Sequence, residues 1–121
     1  MKIIFIVDDS DANLLLAKNA LDGLYETYAL PSAARMFKIA EKIKADLILL
    51  DVDMPEMDGF QALEMLKANE SLKTVPVIFL TGKHEAESEK RGYELGAVDF
   101  IQKPISAPLL IERIKAQIGG D

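Results

Sequence analysis

Short apolar runs alternate along the chain with longer stretches whose apolar positions recur at helical spacing. Ile3 to Val7 (IIFIV) is unbroken and rich in β-branched residues, the pattern of a strand buried on both faces. From Ser10 the period changes: Leu14, Leu15, Ala17, Lys18 and Leu21 form the stripe of a first helix, with Gly23 near its stop. Tyr25 to Leu30 (YETYAL) alternates as a second strand does. Ser32 is placed to cap a helix in which Ala33, Met36, Phe37, Ala40 and Ile43 share one face. Leu47 to Asp51 (LILLD) predicts a third strand, and a third helix starts near Asp58 and carries Phe60, Leu63, Met65 and Leu66. Val75 to Leu80 (VPVIFL) is the fourth strand, its Pro76 close enough to the start to be tolerated. A polar helix over His84 to Gly96 follows, then a fifth strand over Val98 to Ile101. The last helix runs from Ala107 to Ile118, with Pro108 suited to its first turn.

Strands that alternate with helices of roughly 10 to 15 residues predict right-handed βαβ crossovers and a parallel sheet covered on both faces. The expected fold class is therefore α/β. No linker, repeat or low-complexity segment interrupts the pattern, so one domain over residues 1–121 is expected. The closing Gly119, Gly120 and Asp121 suit a frayed end or the start of a linker.

Composition narrows what such a domain does. Its 121 residues are enough for a substantial core, and 50% of them are hydrophobic. The net charge of −6 disfavours direct nucleic-acid binding, which needs a basic face to displace counterions from phosphates. With no cysteine, disulfides and thiolate-bound metals are excluded, and the lone His84 cannot build a histidine cluster. The apolar run at the N-terminus is too short for a signal peptide, and no stretch has the roughly 20 apolar residues of a membrane span. A cytoplasmic protein with no membrane partner is the expectation.

The architecture also makes the acids interpretable. In a parallel sheet all strands end at one edge, and ligands bind there where the strand order reverses. The first strand delivers Asp8 and Asp9 to that edge, the third Asp51, the fourth Thr81, and Lys103 follows the fifth. Taken singly, each has an ordinary reading as a loop residue, a turn or a solvated charge. Glu56 and Asp58 keep such a structural reading, Asp58 as a helix cap. The meeting of the other five at one edge is harder to dismiss. Carboxylates about 4 Å apart repel by about 4 kcal/mol at an effective dielectric near 20. Either one pKa rises or a hard dication sits among them, and oxygen-only ligands favour Mg2+, with Mn2+ the alternative. A carboxylate beside such an ion, with an ammonium and a hydroxyl nearby, suits phosphoryl transfer.

At this point the chain resembles a known family. The stretches VDDS (7–10), LLDVDMPEMDG (49–59), LTG (80–82) and GAVDFIQKP (96–104) are similar, in order and spacing, to those of the receiver domains of two-component response regulators, including the chemotaxis receivers. The resemblance implies a flavodoxin-like, doubly wound sheet of five parallel strands in the order 2-1-3-4-5. It implies that Asp51 accepts a phosphoryl group from a histidine kinase or a histidine phosphotransfer protein. Asp9 would bind Mg2+ directly, Asp8 mainly through water, and Asp51 with the backbone carbonyl of Asp53 would complete the protein ligands. Lys103 would pair with the carboxylate and then the phosphoryl group, across a cis Lys103–Pro104 bond. Thr81 would bond a phosphoryl oxygen, and Phe100 would turn inward behind it as the second member of a switch. The face that changes would be the fourth helix, fifth strand and fifth helix, read by a downstream protein or an output domain, or by a second copy in a phosphorylation-dependent homodimer. Such a protein is not an enzyme, although it carries its own autophosphorylation and autodephosphorylation chemistry.

Some positions depart from the family's pattern. Gly82 stands where alanine is usual, Phe100 lacks the hydroxyl of a tyrosine, and Asp53 and Lys83 put an acid and a base beside the expected water path to the phosphoryl group. The fourth helix, with few apolar anchors and Gly92 within it, is expected to be weakly held. Two other readings stay open on the residues. Asp51-Val52-Asp53 is similar to the opening of haloacid-dehalogenase-type phosphatases, although those carry it on the first strand, without a following Met-Pro. A receiver-like interaction module that is never phosphorylated is the other.

Overall fold

The computed structural model describes residues 1–82 and 86–120. The readings of Lys83 and His84, and of the start of the polar helix, lie outside the described residues. Ten elements alternate: β1 (Ile3–Val7), α1 (Asp11–Leu21), β2 (Glu26–Leu30), α2 (Ala33–Ala40), β3 (Leu47–Asp51), α3 (Gly59–Ala68), β4 (Val77–Thr81), α4 (Ala86–Leu95), β5 (Asp99–Gln102) and α5 (Ala107–Ile118). All four strand pairings are parallel, in the order β2-β1-β3-β4-β5. The chain starts mid-sheet, steps outward to β2, then crosses back over β1 to β3. The order reverses between β1 and β3, which opens the crevice of a doubly wound sheet at the strands' C-terminal ends.

Side chains of one strand point alternately to opposite faces, and so two cores form. Phe5, Val7, Ile48, Leu50 and Phe79 face Met36 of α2 and Leu63 and Leu66 of α3. Ile4, Ile6, Leu47, Leu49, Ile78 and Leu80 face Leu14, Ala17 and Leu21 of α1 and Leu110 and Ile114 of α5. Because both faces are covered, β3 and β4 are buried at every position. That is why their sequences read as unbroken apolar runs rather than alternating ones.

Local signals fix the helix starts. Ser10 accepts from the Asn13 N–H and Ser32 from the Arg35 N–H. Asp58 and Gln61 form a reciprocal capping box ahead of α3. Ser106 makes no side-chain cap, and Pro108 in the first turn instead brings a φ already suited to the helix and no N–H that needs a partner.

Several boundaries and stripe residues differ from the sequence reading. Leu15 and Met65 are exposed, because the buried stripe of α1 is Leu14, Ala17 and Leu21 and that of α3 is Phe60, Ala62, Leu63 and Leu66. Residues next to a stripe lie about 100° round a 3.6-residue helix and fall off its face. α2 ends at Ala40, and Ile43 packs against the core from the following turn. β2 starts at Glu26, because Tyr25 turns into the α1/α5 core and donates its hydroxyl to the Gly119 carbonyl at 2.8 Å. Lys2 Nζ donates to the neighbouring Ile118 carbonyl, so the end of α5 is tied to the start of the sheet. β5 is shifted one residue, to Asp99–Gln102. Among the described residues no helix is long and apolar enough to cross a membrane.

Candidate functional site

The crevice between β1 and β3 gathers the polar residues. Asp8 leaves β1 with its N–H bonded to the Leu30 carbonyl at 3.1 Å, and its side chain is fully buried. Its Oδ1 accepts from the Ser10 N–H at 2.9 Å, so the carboxylate is fixed by the same residue that caps α1. Asp9 is exposed at the mouth. Asp51 ends β3 and is 2% exposed, with its Oδ1 accepting from the Asp53 N–H at 3.3 Å and from Lys103 Nζ at 3.1 Å. Lys103 reaches this point from beyond β5. Its own N–H bonds the Thr81 carbonyl at 2.7 Å, which ties it to the end of β4.

Lys103 Nζ also lies 2.9 Å from Asp8 Oδ2, bridging the two buried acids. That second contact is an ion pair lying off the hydrogen-bond direction, and Asp8 Oδ2 is buried without a hydrogen bond. The Lys103–Pro104 bond is cis, as the resemblance implied. Thr81, at the end of β4, is 5% exposed. Asp53 is exposed at the rim.

The electrostatics follow from the burial. Loss of water first, and then the Asp8 charge, push the Asp51 carboxyl up, to about 7 on balance. Lys103 opposes both, and a hydrogen bond with Asp9 adds to the rise. On Lys103, burial pulls the ammonium down, but Asp8 and Asp51 outweigh it and leave its pKa raised. One ammonium therefore faces three acids, and it does not balance them.

Asp8, Asp9 and Asp51 each offer a carboxylate oxygen within 4.8 Å of the others. An all-oxygen donor set, an unbonded buried oxygen on Asp8 and an excess of negative charge fit a hard dication such as Mg2+.

The Phe100 ring packs in the core beneath α4. It is 9% exposed and already inward, 5.2 Å from the Phe79 ring and 5.2 Å from the Tyr93 ring. The space comes from α4, where Gly92 faces the ring: a Cβ there would sit 2.4 Å from Phe100 Cζ. Gly92 is thus a close-approach glycine, a reason that the sequence reading of a flexible helix did not include.

A second such position was missed. Gly59 follows the Asp58 cap, and a Cβ on it would meet the Asp51 carbonyl at 2.5 Å and Phe79 Cε1 at 2.9 Å. Its N–H bonds the Val52 carbonyl at 2.9 Å, so α3 begins pressed against the strand that carries Asp51. A glycine directly after a cap is the one sequence signal that could have drawn attention to it. Glu56, read as structural, lies in the same loop at a φ of 69°.

Comparison with known proteins places this geometry. The sequence model of the response regulator receiver domain matches residues 4–115. The chain is 42% identical over 115 residues to a probable cyclic di-GMP phosphodiesterase of Vibrio cholerae. That match covers 95% of this chain and 26% of the relative, so the chain spans about a quarter of its length. It is 34% identical to the polar-differentiation response regulator DivK of Brucella ovis, over 98% of this chain and 97% of that one.

Among solved structures, chemotaxis protein CheY4 of Vibrio cholerae is similar with a TM-score of 0.92 at 26% identity, over 97% of this chain and 98% of its own. The receiver domain of a sensor histidine kinase from Pseudomonas aeruginosa, solved with a magnesium ion coordinated in its active site cleft, is similar with a TM-score of 0.87 at 26% identity, over 98% of each chain. Fold, crevice and relatives agree, and the chain belongs to the family of response regulator receiver domains, the signalling modules of two-component systems.

Proposed function

We propose that residues 1–121 form one receiver domain in which Asp51 is the phosphoacceptor. The observation that carries this reading is the Asp51 carboxylate, buried at the end of β3, hydrogen-bonded to Lys103 and next to Asp8 and Asp9. The donor is a phosphohistidine on a histidine kinase or a histidine phosphotransfer protein. An Asp51 carboxylate oxygen forms the new O–P bond as the N–P bond breaks, and the departing imidazole nitrogen keeps the electron pair.

Lys103 and the Asp53 N–H hold Oδ1, which orients the carboxylate for attack by its other oxygen. Lys103 then meets the negative oxygens of the transferred group, and the Thr81 hydroxyl donates to one of them. Asp9, Asp51 and the Asp53 carbonyl would hold Mg2+, or Mn2+ in its place, with Asp8 acting mainly through water. When bound, the ion supplies positive charge against the phosphoryl oxygens and keeps Asp51 ionised at neutral pH. Phe100 and the face of α4, β5 and α5 carry the change to a downstream protein or a further domain. A homodimer formed on phosphorylation uses the same face. The cytoplasm is the compartment we assign. Asp53 at the rim is placed to influence the lifetime of the phosphoryl group.

Intact mass after incubation with a small phosphodonor and Mg2+ tests the reading. A phosphoryl adduct is expected on the native chain and not on Asp51→Asn or a metal-free sample. Steady phosphate release with no adduct would favour a hydrolase of the haloacid-dehalogenase type. Neither adduct nor release would leave an unphosphorylated interaction module.

A further inference from the structure

Four aromatic rings form a row of pairwise contacts that runs from α3 over β4 and β5 to α4. Phe60, in the first turn of α3, lies 5.4 Å from Phe79 of β4, which lies 5.2 Å from Phe100 of β5, which lies 5.2 Å from Tyr93 of α4. Three consecutive residues of α4 sit on this row. The Arg91 guanidinium stands 4.4 Å over the centre of the Phe60 ring. Gly92 lies against Phe100 and Phe79, where an added Cβ would meet ring carbons at 2.4, 2.8 and 3.1 Å. Tyr93 packs on the far side of Phe100.

Beyond this row, Leu95 at the end of α4 packs half-buried against the same core. Gly92 is the one buried residue of α4. Its carbonyl also accepts from the Gly96 and Ala97 N–H groups at 3.1 and 2.9 Å, so the helix ends on the residue that touches the ring. Glycine in mid-helix is unfavourable, and here the contact with Phe100 is what it makes possible.

We propose that Arg91, Gly92 and Tyr93 act as one clasp that holds α4 on the aromatic row, with Gly92 the positioning residue that keeps Phe100 inward. Ring position and helix docking are then a single coordinate: Phe100 cannot stay inward if residue 92 gains a side chain, and α4 loses its seat when the ring leaves. Phe60 extends that coordinate to the acceptor, since its neighbour Gly59 is pressed against the Asp51 carbonyl. The link to phosphorylation rests on Asp51 being the acceptor, whereas the clasp itself does not.

The test is hydrogen exchange on the full chain without phosphodonor, comparing Gly92→Ala, Phe100→Ala, the double variant and Arg91→Gln. Helix propensity alone would make Gly92→Ala protect α4. The clasp demands the opposite sign: exchange over residues 86–95 faster by roughly tenfold or more, with residues 11–21 unchanged. Phe100→Ala in the Gly92→Ala background should then slow α4 again, because no ring is left to meet the new methyl. Arg91→Gln, on an exposed side chain, should loosen the same helix to a smaller degree.

Slower exchange in Gly92→Ala, or additive effects in the double variant, would overturn the clasp. With donor and Mg2+ added, the chemical shifts of the Phe100 ring and the exchange of α4 should change together, and a change in only one would overturn the single coordinate. Absence of an adduct in that arm counts against the acceptor reading alone.

Discussion

Asp51 carries a carboxyl whose pKa the fold raises to about 7, and this has a consequence for stability. An unfolded aspartate titrates near ~3.9, so between that value and about 7 the folded metal-free chain binds the extra proton. The group therefore favours the fold below its unfolded pKa, and that contribution is lost as pH rises through the folded one. In urea melts without metal, native protein should lose stability from pH 5 to pH 8, and Asp51→Asn should lose much less and be the more stable at pH 8. Parallel curves for the two would refute the assignment of the pKa to Asp51.

Gly82 gives a second residue-scale expectation. Among the described residues nothing lies within 4 Å of a Cβ built there, and its φ lies outside the left-handed region. Gly82→Ala should add about 0.4–1 kcal/mol by restricting the unfolded chain. Thermal denaturation at fixed Mg2+ would reveal it. The acids, Thr81 and Lys103 were legible because strand ends can be found from sequence and share one edge in a parallel sheet. The roles of Gly59 and Gly92 were not, because a glycine's reason lies in what approaches it, and both Phe79 and Phe100 arrive from other elements.

At the scale of elements, periodicity found every strand and helix but not always the buried face. Ser10, Ser32 and Asp58 announce α1, α2 and α3 through local hydrogen bonds that need nothing from the rest of the chain. Leu14 and Leu15 illustrate the limit. Both are apolar and adjacent, yet Leu14 is 7% exposed and Leu15 59%, and only the position of the sheet decides between them. Leu14→Ala should cost about 2–5 kcal/mol, and Leu15→Ala should stay within about 0.5 kcal/mol. Chemical denaturation of the two variants side by side would check this, and equal losses would mean that α1 is rotated from the position described.

Asp58→Ala removes half of a capping box and should cost about 1 kcal/mol. Because α3 starts against the Asp51 carbonyl, the same variant should also slow adduct formation on Asp51, measurable by intact mass over time.

For the whole molecule, the acidic crevice sets the response to metal. A ligand that binds only the folded state stabilises it by about 2.7 kcal/mol at a hundredfold excess over Kd. Mg2+ should therefore raise the melting temperature of the native chain at pH 8, and Asp9→Asn should blunt the rise. An equal rise in both would place the ion elsewhere. The sheet order was legible only through the family resemblance, since alternating strands and helices fit more than one order of parallel strands.

The bonds that join Tyr25 to Gly119 and Lys2 to Ile118 also bear on how the protein can be rebuilt. They hold the first strand's start beside the last helix's end, at the edge of the sheet remote from Asp51. Reporters fused at either end thus stand clear of the crevice. A short flexible tether between those ends should close the chain into a ring, and a new opening cut in an exposed turn should then leave the phosphoryl chemistry intact.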